Sequence, residues 1–234
     1  MTAPNPEKRQ LGSQAWPDVA ETPPKVLLVP VGSCEQHGPH LPLDTDTRIA
    51  VAVAERVAAR RADVVVAPAV AYGSSGEHQG FVGTLSIGTV ALRSVLIELG
   101  RSAFPAADPG AYAALVFVNG HGGNHEALRD AVDVLVGEGR PVSAWWPSIA
   151  GGDAHAGRTE TSLLLAIAGD VVGPERPVGT TEPLTELLEP MRAGGVGAVA
   201  PNGVLGDATG ASAEEGEALL TALVDDLAGR FPVS

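Results

Sequence analysis

Imidazoles and carboxylates crowd into three short segments of a chain otherwise rich in Ala, Val and Leu. These are Glu35-Gln36-His37 with Asp44 and Asp46 close behind, Asn119-Gly-His121-Gly-Gly-Asn124, and Asp153-Ala-His155 running on to Glu160. On an extended backbone successive side chains alternate, so Glu35 and His37 are expected to aim into one space while Cys34 and Gln36 point elsewhere. A carboxylate beside a neutral imidazole, open to solvent, suits divalent Zn, Mn or Fe. Glu35, His37, Asp46, His121, His155 and Glu160 exceed what one closed tetrahedral zinc needs, and two metals are the more natural reading. A bridging carboxylate would hold such a pair about 3.5–4 Å apart, the spacing at which a shared water becomes a nucleophile near neutral pH. Asp46, central in the first segment, is the expected bridge.

Each residue also has a plainer reading. Asp46 could cap the helix that follows it, and Glu160 could serve only the dipole of a first helical turn. His121 is harder to dismiss, because Gly120, Gly122 and Gly123 let the backbone come close to something. Glu77 and His78, on a glycine-rich loop, are either substrate contacts or an exposed loop. His40, between prolines, reads as a loop-shaping residue, and His125 as solvent-facing. A Cys34 nucleophile with His37 as base is disfavoured by the same alternation. The glycines around His121 lack the dinucleotide fingerprint and the P-loop lysine.

The elements that must position these residues follow from hydrophobic patterning. Apolar runs at Val26–Val31, Val64–Val70, Leu115–Val118 and Val142–Trp146 lack polar alternation and read as strands buried on both faces. Between them, Ile49/Val53/Val57, Leu92/Leu96/Leu99 and Leu128/Val132/Leu135 recur at helical spacing. Alternating strands and helices imply a mostly parallel central sheet in a three-layer α/β/α sandwich. Such sheets bind ligands beyond the carboxyl ends of their strands, where all three segments fall. After Asp170 prolines and glycines loosen the pattern around a short helix near Leu184–Met191, and Ala213–Ala228 closes the chain as a helix. Gly194–Gly210 is the expected rim of the crevice.

The 234 residues suit one domain spanning 1–234, with 1–10 expected to be flexible. The net charge of −13 argues against a nucleic-acid partner, which needs a basic face. One cysteine excludes an intramolecular disulfide. No run approaches the roughly 18 apolar residues of a membrane span, and the N-terminus lacks a signal-peptide core, so a cytoplasmic protein with no membrane partner is expected.

Glu35-Gln-His37-Gly-Pro-His-Leu-Pro-Leu-Asp-Thr-Asp46, Asn119-Gly-His121-Gly-Gly-Asn124 and His155-Ala-Gly-x-x-Glu160-Thr-Ser162 resemble the creatininase family of dinuclear amidohydrolases. The resemblance implies one metal on Glu35, Asp46 and His121, a second on His37, Asp46 and Glu160, and His155 as proton shuttle to the leaving nitrogen. Two divalent ions, Zn with Fe or Mn, and a homo-oligomer, a hexamer or larger ring of dimers, are implied with it. Segments 71–88 and 201–211 are similar to a branch of the family that hydrolyses a modified ribosomal precursor peptide near its C-terminus, releasing a Val-Tyr-derived unit for redox-cofactor synthesis. Creatinine hydrolases carry a metal-binding glutamate where this chain has Gly123, so Glu160 is expected to take over. Their aromatic wall has no counterpart at Gly151 and Gly152, although Trp145 and Trp146 offer aromatic surface. The alternatives are a creatinine- or formamide-type small-molecule amidohydrolase on the same ligands, and a non-catalytic metal-binding scaffold subunit.

Overall fold

The computed structural model describes residues 9–105 and 110–231. Residues 1–8, most of the segment expected to be flexible, lie outside the described residues. Four parallel strands, β1 (Lys25–Val31), β2 (Val64–Val66), β3 (Tyr112–Asn119) and β4 (Val142–Trp145), form one sheet in the order β2-β1-β3-β4. Seven α-helices accompany them: α1 (Trp16–Ala20), α2 (Thr45–Arg60), α3 (Gly88–Ala103), α4 (His125–Gly137), α5 (Arg158–Ala168), α6 (Leu184–Gly194) and α7 (Ala213–Ala228).

The central stretches of β1, β2 and β3 are apolar because both faces are covered there. Leu28, Val64, Val66, Val116 and Val118 pack with α2, α5 and α7, whereas Leu27, Val29, Val31, Val65, Leu115 and Phe117 pack with α3 and α4. Consecutive residues therefore serve opposite cores, as the pleat demands. This is the three-layer α/β/α sandwich that the sequence predicts. The second strand ends at Val66, short of the predicted Val70: Pro68 has no N–H to continue a ladder, and Val70 rejoins β1 only through an isolated bridge to Val31.

Chain order places the site. After β1 the chain turns outward to β2, then crosses back to β3 on the other side of β1, so the loops after β1 and β3 diverge from a switch point. The N-terminus of α2 is drawn into that cleft by two glycines. A Cβ on Gly32 would overlap the Thr47 backbone, and one on Gly120 would overlap the Asp46 carbonyl. With neither present, the first turn of α2 seats Asp46 between the ends of β1 and β3.

Candidate metal centre

Four loops at the carboxyl edge converge on one cluster. The β1–α2 loop brings Glu35 and His37, the first turn of α2 brings Asp46, and the β3–α4 loop brings His121. His78 ends a 3-10 turn, Gly76–His78, in the β2–α3 connection, and His155 and Glu160 flank the start of α5. Glu35, His37, Asp46, His78, His121 and His155 are all buried. The Glu160 side chain keeps 19% exposure toward the neighbouring cavity.

Asp46 sits between two imidazoles, with Oδ1 3.0 Å from His37 Nε2 and Oδ2 3.2 Å from His121 Nδ1. Its Oδ2 also accepts from Ser33 Oγ at 2.7 Å. The helix-capping alternative for Asp46 is not what the fold uses: the N-cap of α2 is Asp44, and Asp46 turns inward. Glu35 Oε2 lies 3.2 Å from His121 Nε2, while Oε1 lies 3.4 Å from His78 Nε2 and 3.8 Å from His155 Nδ1. His37 Nε2 is 3.8 Å from Glu160 Oε2, and that oxygen accepts the Ala156 N–H at 2.6 Å. Ala156 is left-handed, φ 53°, a conformation costing an L-residue about 1–2 kcal/mol. Strain of this kind is kept where surrounding contacts over-determine it, here the Glu160 bond on one side and, on the other, the pairing of His155 with Leu205.

Among the described residues three donor triads come within 4.8 Å: Glu35/Asp46/His121, His37/His155/Glu160 and Glu35/His78/His155. Both oxygens of Glu35 are buried without a hydrogen-bond partner. A carboxylate so placed needs a cation, and the mixed imidazole and carboxylate set around it fits divalent Zn, Mn or Fe.

Without metal the imidazoles supply positive charge. Burial lowers the pKa of His37, but the Asp46 carboxylate, with Glu160 and Glu35, more than reverses this and raises it to about 10. His121 behaves alike, lowered by burial yet held well above the usual imidazole range by Glu35 and Asp46. Burial pushes Asp46 up, and His37 and His121 pull it well below the carboxylate range. Burial raises Glu160 to about 7 against the pull of His37. His78, lowered to about 4, and His155, lowered well below its ordinary value, are driven to the neutral form by burial first.

All six residues of the expected ligand and shuttle set thus meet in one place. His78 joins them in the interior, and Glu77 lines the adjoining cavity with its Oε1 3.5 Å from His121 Nε2. A Cβ on Gly123 would come 2.6 Å from that same oxygen, so Glu77 fills the space a side chain at 123 would take. Gln36 departs from expectation: its amide reaches His78 Nδ1 at 2.9 Å and His155 Nε2 at 3.0 Å. Past Val31 the chain has left strand geometry, and simple alternation no longer governs it. Cys34 does turn away, its Sγ 3.9 Å from the Gly83 carbonyl. His40 bonds Thr161 Oγ1 at 2.8 Å, and His125 is exposed beside Trp146. Trp145 is buried and donates to Asp226, and neither tryptophan lines the cavity.

The cavity above the cluster measures about 420 Å³. Of the expected rim only Leu205 lines it, and the larger wall is α6, which presents Leu184, Leu188, Met191 and Arg192. That spacing is one face of a helix.

A family model described as creatininase, creatinine amidohydrolase, matches residues 13–231. The chain belongs to the creatininase family. Within that family it is 53% identical over 233 residues to the mycofactocin precursor peptide peptidase of Mycobacterium ulcerans (strain Agy99), covering 95% of this chain and 90% of that protein. It is 32% identical over 237 residues to the creatinine amidohydrolase of Pseudomonas putida, 87% of each chain being covered. A solved structure titled "Creatininase Mn" superposes with TM-score 0.78 at 27% identity, over 94% of this chain and 96% of that one. Creatininase relatives are peptidases and amidohydrolases, and the chain is a hydrolase of C–N bonds.

Proposed function

We propose that this creatininase-family chain is a dinuclear metallopeptidase that cuts a modified ribosomal precursor peptide near its C-terminus, releasing the Val-Tyr-derived unit from which mycofactocin is made. The observation that carries the metal reading is Glu35, a fully buried carboxylate with two unpartnered oxygens facing three imidazoles. In this reading Glu35, Asp46 and His121 hold one ion, and His37, Asp46 and Glu160 hold the other, with zinc accompanied by iron or manganese. The ions supply Lewis acidity toward the scissile carbonyl and a low-pKa water. His155 carries the proton to the leaving nitrogen at Nδ1, because its Nε2 is engaged by the Gln36 carbonyl at 2.9 Å.

The α6 wall supports a peptide over a small lactam. Leu184 and Leu188 are 44% and 39% exposed beside the cluster, an apolar stripe suited to apolar side chains near a peptide's end. Among the described residues lining the cavity Arg192 is the only Lys or Arg, and it matches a C-terminal carboxylate. Glu77 and His78 stand beside this substrate path. A single domain acting in the cytoplasm as a homo-oligomer, a hexamer or larger ring of dimers, completes the reading. The apolar patch of Val82, Leu85, Ile87 and Val90, exposed on the β2–α3 loop and α3, supports the assembly. No helix among the described residues is long and apolar enough to cross a membrane. Incubation with creatinine, a formamidopyrimidine and the modified precursor peptide tests the substrate: cleavage of the peptide is expected, and turnover of only a small ring would refute it.

A further inference from the structure

We propose that Gln36 fixes the ring protons of two imidazoles in the cluster, its side-chain amide keeping the proton of His78 off Nδ1 and on Nε2, and its main-chain carbonyl holding a proton on His155 Nε2. Gln36 is buried behind both rings. Two backbone groups of opposite polarity fix which way its amide points. Oε1 accepts the Gly38 N–H at 2.8 Å, and Nε2 donates to the Gly203 carbonyl at 3.0 Å. An amide flip would set carbonyl against carbonyl and N–H against N–H, so the orientation is unique.

One amide proton remains, and two ring nitrogens lie within reach of it: His78 Nδ1 at 2.9 Å and His155 Nε2 at 3.0 Å. His155 Nε2 has a second neighbour, the Gln36 main-chain carbonyl at 2.9 Å, which can only accept. If His155 Nε2 took the amide proton, that carbonyl would lose its donor, and His78 Nδ1 would face the amide with either a donor clash or an unsatisfied lone pair. Only one assignment satisfies every group. His155 Nε2–H donates to the Gln36 carbonyl, and the amide donates to His78 Nδ1. The His78 ring proton then sits on Nε2, 3.4 Å from Glu35 Oε1, and His155 Nδ1, the ring nitrogen that the Gln36 carbonyl does not engage, lies 3.8 Å from the same oxygen.

Two consequences follow. His78 cannot ligate a metal through Nε2, so Glu35/His78/His155 is not a third metal position despite its compact geometry. His78 instead turns its Nε2 proton toward Glu35 Oε1 without forming a hydrogen bond to it. His155 exchanges its proton at Nδ1, a consequence that rests on the proposed function, whereas the tautomers themselves do not.

The test is long-range ¹H–¹⁵N NMR of zinc-loaded protein labelled in histidine, which distinguishes protonated from lone-pair ring nitrogens. In the wild type His78 should show an imine-type Nδ1, and His155 a protonated Nε2. Gln36→Glu places an acceptor at His78 Nδ1, so the His78 proton should move there while His155, bonded to a main-chain carbonyl, is unchanged. Gln36→Met removes the donor without adding charge, and His78 should lose its single-tautomer signature while His155 keeps its own. Either variant should lower activity about 10–100-fold, as loss of a supporting hydrogen bond does in metal sites. A wild-type His78 protonated at Nδ1, or a His78 spectrum indifferent to both substitutions, would overturn the proposal. If the tautomers are as stated but no peptide is cleaved, the proposed function fails and the tautomer assignment stands.

Discussion

Metal uptake should be coupled to proton release, because metal ions must displace the protons that balance the cluster in their absence. His37 titrates at about 10 in the metal-free protein, and His121 well above the usual imidazole range. At pH 8 the His37 ring is protonated and His121 is held toward its protonated form, so filling both positions should release at least about one proton. Glu160, at about 7, should add about half a proton when the titration is run at pH 7. Deprotonating His37 at pH 8 costs about 3 kcal/mol, two pH units at ~1.4 kcal/mol each. Affinity at its position should therefore rise about tenfold per pH unit between pH 7 and 9. The same shift bears on stability. A raised imidazole pKa contributes fully below the unfolded value of 6.5 and is lost as pH rises through about 10, so the metal-free protein should weaken over that window. Calorimetric titration of zinc into metal-free protein, in buffers of different ionisation enthalpy, counts the protons. Release near zero at pH 8 would show that His37 and His121 are not the groups that metal displaces.

Asp46→Asn should empty both positions, since Asp46 touches the imidazoles of both, and elemental analysis should fall from about two metals per chain to below one. His155→Gln should keep its metal but lose about 10²–10⁴-fold in kcat, with one limb of the pH profile abolished. Retention of wild-type kcat would remove His155 from the proton path. Arg192→Gln should raise KM for the peptide about tenfold, the worth of one charge-assisted hydrogen bond. C-terminal amidation of the peptide should cost the wild type as much and the variant nothing further. Equal handling of acid and amide by the wild type would refute the role given to Arg192.

Most of the architecture could be read in the sequence because buried parallel strands and amphipathic helices carry strong periodic signals. Leu28, Val116 and Phe117 lie in unbroken apolar runs, and Ala213–Ala228 is a helix over the predicted residues. The cluster was legible for a related reason: Glu35, His37, Asp46, His121, His155 and Glu160 all follow strand ends, and the carboxyl edge of a parallel sheet gathers such loops. His78 follows a strand end as well, and that topological signal could have drawn it into the cluster. Gln36 carried no signal, since its role depends on Gly203 and His155, more than a hundred residues away in sequence. The cavity wall shifted from Gly194–Gly210 to α6 because glycine content marks where a chain can bend, not which surface it will cover.

The measurement closest to the central claim is mass spectrometry of the products formed from the modified precursor peptide by zinc-loaded and metal-stripped protein. Cleavage near the C-terminus is expected from the loaded protein alone, with the released unit matched by a shortened peptide. Cleavage by the metal-stripped protein, or an intact peptide alongside turnover of creatinine, would contradict it.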